Sequence, residues 1–169
     1  MNKINTKNIV LAALLTAITI IIPIIFAPFR IVLGPYTATI TAHVPTIIAM
    51  FINPAVAAFV ALCSAIGFIF TASPVVAARA ATHVIFAIIG AYMIKKNYNV
   101  WLVLVVTALV HALAETIVVY IAYKLGLVPG KWALSIYLGI TLAGTLAHHS
   151  VDFLIAFLAL KAIKTTKVI

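Results

Sequence analysis

The sequence predicts an all-α integral membrane protein, a single domain over residues 1–169 with six transmembrane helices and both termini cytoplasmic. Three observations predict it. Apolar residues make up 66% of the chain and charged residues only 8%, where a soluble domain carries about 25% charged residues. So few charges cannot build a water-facing surface, and lipid must be the solvent. The apolar residues fall into six runs close to the roughly 17–25 residues a helix needs to cross the hydrocarbon. The basic residues sit mostly between those runs, and eleven Lys and Arg against only Glu115 and Asp152 give a net charge of +9. That pattern reads as membrane orientation rather than nucleic-acid binding.

The first run spans Asn8 to Phe26, with Pro23 bending its end. Lys3 and Lys7 before it give it the look of a signal peptide, but no small-residue cleavage site follows, so it is expected to stay as the first helix. Ala27 to Pro35 is bracketed by prolines and too irregular for a helix. The second run covers Tyr36 to Ile52, and Asn53-Pro54 turns the chain into the third, Ala55 to Phe70. Thr71-Ala72-Ser73-Pro74 breaks it again before the fourth run, Val75 to Ile94. The fifth covers Val100 to Tyr123, and the sixth Trp132 to Ile163 after a loop from Gly126 to Gly130. No internal repeat marks an inverted-repeat carrier.

Six crossings put both ends on one side. Lys3, Lys7, Lys95, Lys96, Lys161, Lys164 and Lys167 fall with the termini, and Arg30, Lys124 and Lys131 fall opposite, which places the termini in the cytoplasm. Tyr123, Trp132 and Tyr137 then lie near the outer interface, with Tyr98 and Trp101 near the inner one. The lone cysteine, Cys63, excludes an intramolecular disulfide.

Ionisable groups inside a bilayer cost about 2.5–3.5 kcal/mol each at a helix centre, so each is a functional candidate. Three pairs have the i, i+4 spacing of one helix face: Arg79 with His83, His111 with Glu115, and His148 with Asp152. At about 1.5 Å of rise per residue, Arg79 sits roughly 6 Å below the outer end of its helix, His83 and Glu115 roughly 12 Å, and His43 roughly 10 Å. These four could meet at one level, with the Ala27–Pro35 loop above them. The candidate binding residues are therefore Arg79, His83, Glu115, His43, His111 and His148. The competing reading is an internal Arg79–Glu115 ion pair with the histidines bonded to backbone carbonyls. His148, His149 and Asp152 also suit helix packing or coupling on the inner side. Two ligands at helical spacing, His111 and Glu115, are too few to specify a metal, and none is expected. Ala13 and Ala17 on the first helix, and Ala57, Ala58, Ala61 and Ala65 on the third, form small-residue faces for internal packing or for another membrane subunit. The chain has no P-loop, no H-E-x-x-H and no G-x-S-x-G, so it cannot hydrolyse ATP by a P-loop and shows no catalytic constellation. An autonomous proton-coupled carrier with Asp152 and His148 as relay is the alternative, and an intramembrane enzyme ranks last.

Over nearly its whole length the chain resembles the substrate-binding S components of energy-coupling factor (ECF) vitamin transporters. The likeness rests on six short crossings and on Ala13-Leu14-Leu15-Thr16-Ala17. It rests also on the proline-containing first outer loop, on Ala42-His43-Val44-Pro45 with Ala49-Met50-Phe51-Ile52-Asn53-Pro54, and on Arg79 through Ala87. The resemblance implies a bacterial cytoplasmic membrane protein that binds a vitamin or precursor near its outer face. The first outer loop and helices four to six would line the site. Ala13 and Ala17 would face a transmembrane coupling subunit (the T component), and two cytoplasmic ATPases would carry ATP and Mg, leaving this chain without a cofactor. Met1-Asn2-Lys3 lacks the N-terminal histidine of the cobalt and nickel relatives, so a vitamin is the expected cargo. Hydroxymethylpyrimidine or pyridoxine would use Glu115 and is slightly preferred; niacin or pantothenate would use Arg79.

Overall fold

The computed structural model describes residues 6–33, 35–128 and 131–165 of the chain. Helix α1 (Thr6–Ile25) leads into a 3₁₀ turn (Ala27–Phe29) and a small antiparallel hairpin, β1 (Ile31–Leu33) and β2 (Tyr36–Ala38), in which Leu33 faces Tyr36. Then follow α2 (Val44–Met50), α3 (Pro54–Thr71), α4 (Pro74–Ala81), α5 (His83–Lys95), α6 (Val100–Lys124) and α7 (Leu134–Thr165).

Among the described residues, five helical stretches are long and apolar enough to cross a membrane: Thr6–Ile25, Pro54–Thr71, Pro74–Lys95, Val100–Lys124 and Leu134–Ile163. They reproduce five of the six runs. The second run is different. Tyr36–Ile52 is not one helix but a strand, a turn and the seven residues of α2. Pro45 explains the late helix start, since a proline has no N–H to donate and fits only in a first turn. Upstream of it, Thr41 adopts the left-handed backbone conformation (φ 66°), costly for a β-branched residue and a break in any regular element. The fourth run is also interrupted: α4 ends at Ala81, and the Thr82 hydroxyl donates to the Arg79 carbonyl (2.7 Å) before α5 begins at His83. The Ala27–Pro35 loop carries the 3₁₀ turn and β1, more regular than the prolines suggest.

Helix starts follow local capping chemistry. The Asn53 side chain accepts from Val56 N–H (2.9 Å), Ser73 from Val76 N–H (3.4 Å) and Asn99 from Trp101 N–H (2.9 Å). Helix α1 packs closely on α3, where a Cβ placed on Gly67 would sit 2.5 Å from the Ile20 carbonyl oxygen, so only glycine permits the approach. Ala57 and Ala61 of α3 are buried in the core cluster that also takes Leu15 of α1. Phe86, Phe153, Ile47, Met50, Val60 and Val103 fill the main apolar core. Facing outward are large apolar side chains such as Phe59, Ile69, Leu113, Ile117 and Leu158, a coat suited to lipid and too extensive for water. Arg30, which the sequence offers only as a topogenic charge, ties the hairpin to the end of α3 by donating to the Thr71 carbonyl (3.0 Å) and to Thr39 Oγ1 (3.3 Å).

Candidate functional site

All six candidate residues converge. Arg79 comes from α4, His83 from the start of α5, His111 and Glu115 from one face of α6, His148 from α7, and His43 from the turn ahead of α2. The irregular parts of the chain make this possible, because the interruption at Thr82 and the turn at residues 39–43 bring polar groups from non-helical backbone to the helix pair α6–α7.

Glu115 is the hub. Its Oε2 accepts from Arg79 Nη2 (2.8 Å) and from the Thr145 hydroxyl. Its Oε1 lies 3.5 Å from His111 Nε2 and 3.9 Å from His83 Nε2, beyond ordinary hydrogen-bond length. The internal ion pair therefore forms, but it consumes only half of the carboxylate. Arg79 in turn stacks on the Tyr36 ring, its guanidinium carbon 4.9 Å from the centroid, and makes long contacts of 3.5 Å with the Thr37 carbonyl. Its buried Nε has no hydrogen-bond partner.

The histidines occupy defined roles. The Ser64 hydroxyl gives its proton to the Ala61 carbonyl (2.7 Å), so it accepts from His83 Nδ1–H at 3.0 Å. Thr107 donates to the Val103 carbonyl (2.7 Å) and accepts from His149 Nε2–H at 3.0 Å. His149 Nδ1 is thereby an acceptor, and takes the proton of His111 Nδ1 at 3.1 Å. His148 Nε2 reaches the Thr39 carbonyl (3.0 Å) and Asp152 Oδ2 (3.2 Å), both acceptors, so it carries a proton.

Asp152 anchors the adjoining end of the same cluster, through His43 and His148. Oδ1 accepts from Thr41 N–H (3.1 Å) and Oδ2 from His43 N–H (3.0 Å). His43 Nδ1 is 2.9 Å from Oδ2, although too misaligned for a full hydrogen bond. The carboxylate thus holds the strained turn before α2 against α7. Sequence reasoning placed Asp152 with His148 but could not see the backbone amides it binds.

A cavity of about 20 Å³ lies among Thr39, His43, Arg79, His83, Glu115 and His148. It has room for one water-sized occupant, so a ring-containing solute enters only if the hairpin residues Thr37–Thr39, which form one wall, move outward. Tyr36, Ser64, Thr107 and Thr145 join the site without any signal in the sequence, being ordinary residues within apolar runs. Ala13 and Ala17 are exposed on α1 while Leu15, Thr19 and Ile22 of the same helix are buried, so the small-residue face points away from this chain's own core.

A lipid-facing helical body closed around one buried polar pocket is the build of a membrane protein that binds a small solute. The chain is 35% identical over 163 residues, covering 91% of its own length and 73% of the relative, to the niacin transporter NiaX of Lactococcus lactis subsp. cremoris (strain MG1363). It belongs to that family, the vitamin-binding S components of ECF transporters, and is a multi-pass membrane transport protein rather than an enzyme. No protein-family model and no solved structure matches the chain.

Proposed function

We propose that this chain is the substrate-binding subunit of an ATP-driven ECF importer and that its cargo is a small aromatic carboxylate of the niacin class. The observation that carries the reading is the unpartnered Nε–H of Arg79, buried beside the cavity on a guanidinium already oriented by Glu115 and Tyr36. A buried donor without an acceptor is costly, and a carboxylate is the acceptor a guanidinium fork holds best. The relative is a niacin transporter, which moves the preference from hydroxymethylpyrimidine or pyridoxine to the carboxylate solutes. Tyr36 and the imidazoles would flank the ring. In this reading residues 36–52 make the sixth crossing of a single domain, both termini are cytoplasmic, and the hairpin covers the pocket from outside. Ala13 and Ala17 dock the T component, and two partner ATPases supply ATP and Mg. The full engagement of Asp152 with backbone amides weighs against the proton-relay alternative.

Titration of the purified chain with nicotinate, nicotinamide, pantothenate, pyridoxine and hydroxymethylpyrimidine tests it. Nicotinate should bind below micromolar concentration, nicotinamide far more weakly. Arg79→Ala should weaken nicotinate by about 100-fold, the worth of charge-assisted hydrogen bonds. Preference for an uncharged pyrimidine, or nicotinate binding indifferent to Arg79, would refute the carboxylate reading. Separately, Ala17→Trp should abolish copurification with the coupling subunit and leave nicotinate binding intact.

A further inference from the structure

We propose that His43, His83 and His111, with Glu115, form a binding site for one divalent transition-metal ion of the zinc type. One ligand nitrogen from each imidazole lies within 4.8 Å of the other two, and all three residues are buried. Their rings stand mutually edge to face at centroid separations of 4.6, 4.6 and 4.9 Å. Four-coordinate zinc, with Zn–N bonds of about 2.0–2.1 Å, brings its donors to about 3.3 Å from one another, so the rings need turn inward by only about 1 Å.

The protonation pattern points the same way. Two of the three rings have their Nδ1 proton directed to an outer partner, His83 to Ser64 and His111 to His149 and through it to Thr107, while His43 Nδ1 lies 2.9 Å from Asp152 Oδ2 without an aligned hydrogen bond. That leaves Nε2 of His83 and of His111 with its lone pair. Outer hydrogen bonds of this kind are how metal-ligating histidines are oriented and their tautomer set. Without a cation the arrangement is unfavourable. The lone pairs of His111 and His83 face Glu115 Oε1 at 3.5 and 3.9 Å, and His111 Nε2 is a buried atom with no partner. With neutral imidazoles the buried cluster carries one positive charge, Arg79, against two negative ones, Glu115 and Asp152; an added cation offsets the excess. The cavity beside His43, His83 and Glu115, about 20 Å³, is ion-sized. Neutral imidazole nitrogens select zinc, nickel, copper or iron over magnesium and calcium, which take oxygen ligands. The other grouping, His43 with His148 and Asp152, is already consumed: both Asp152 oxygens accept backbone N–H groups and His148 Nε2 donates to the Thr39 carbonyl.

The proposal does not depend on which vitamin the chain carries, and its test uses none. The tag-free protein in detergent is stripped with chelator and titrated with Zn(II) and, separately, Co(II). The expected result is one ion per chain bound below micromolar free metal, with the strong visible bands of four-coordinate Co(II). X-ray absorption at the zinc edge of the wild-type chain should show imidazole scattering from three rings, which requires no variant to fold. His83→Gln and His111→Gln, each checked for a single symmetric elution peak, should lower affinity at least tenfold and bleach the Co(II) bands. Binding only at millimolar metal, a Co(II) spectrum unchanged from the hydrated ion, or fewer than two imidazoles at the zinc edge would overturn it.

Discussion

The chain has two acidic residues, both deep inside it, and they live opposite lives. Asp152 is saturated. Its oxygens take the amides of Thr41 and His43 and lie within 3.2 Å of His148 Nε2 and 2.9 Å of His43 Nδ1. Glu115 is half-satisfied: Oε2 takes Arg79 and Thr145, while Oε1 faces two imidazole nitrogens at 3.5 and 3.9 Å and accepts no hydrogen bond from either. A carboxylate with every lone pair spoken for is scaffolding. One with an oxygen held open beside a cavity is a place to bind something. The same i, i+4 spacing to a histidine, His148 with Asp152 and His111 with Glu115, appears in both, so spacing alone does not distinguish a strut from a site.

The largest effect expected from breaking this contrast is in Asp152→Ala. It strands two buried amides and releases a residue in left-handed conformation, and should cost about 3–5 kcal/mol, the range for removing one partner from a buried charged arrangement. The readout is a steep loss of thermal stability in detergent, with Asp152→Asn recovering part of it. If Asp152→Ala melts like the wild type, the turn before α2 is held by something else. Glu115→Gln should cost less, about 3 kcal/mol at the lower end of that range, because the amide oxygen still serves Thr145 and Arg79 although the buried guanidinium loses its counter-charge. Yet it should abolish tight zinc binding and weaken nicotinate, so function falls further than stability. Equal losses of stability in the two variants would erase the distinction. A smaller and sharper probe is Gly144→Ala on α7. Its Cβ would come 2.6 Å from the Tyr36 ring, forcing that ring off Arg79; the expected result is roughly tenfold weaker nicotinate and about 1–3 kcal/mol of overpacking. Gly139→Ala, one helix segment away, meets nothing within 4 Å and should be neutral or stabilising by about 0.5–1 kcal/mol.

Much of the site was legible because a bilayer makes polar residues expensive. His43, Arg79, His83, His111, Glu115 and His148 stand out against apolar runs, and all six line or adjoin one cluster. Arg79, His83, Glu115 and His43 lie together as helical rise suggests, but His43 also touches His148, His149 and Asp152, so these three do not form the separate inner-side group expected of them. Tyr36, Ser64, Thr107 and Thr145 were not legible. Hydroxyl residues are tolerated in membrane helices by bonding to their own backbone, as Ser64 and Thr107 do, and nothing in the sequence shows that the same hydroxyls also receive an imidazole proton. The second run misled for a related reason. Its hydropathy suits a crossing, but Pro45 and the threonines at 37, 39 and 41 favour a strand and turn, and a hydropathy count does not weigh where an amide can find its acceptor.

By itself the sequence determined the solvent, the helical class, five of the spans, and the short list of polar residues that had to be doing something. These follow from transfer free energy and helical rise, both local properties. Only the tertiary structure decided which half of each carboxylate is spent, which nitrogens of His83, His111 and His149 are hydrogen-bonded, and which segment stays unwound. Those outcomes depend on where hydrogen-bond partners from α3, α6, α7 and the residue 39–43 turn meet in space, and no local pattern in the chain specifies that meeting.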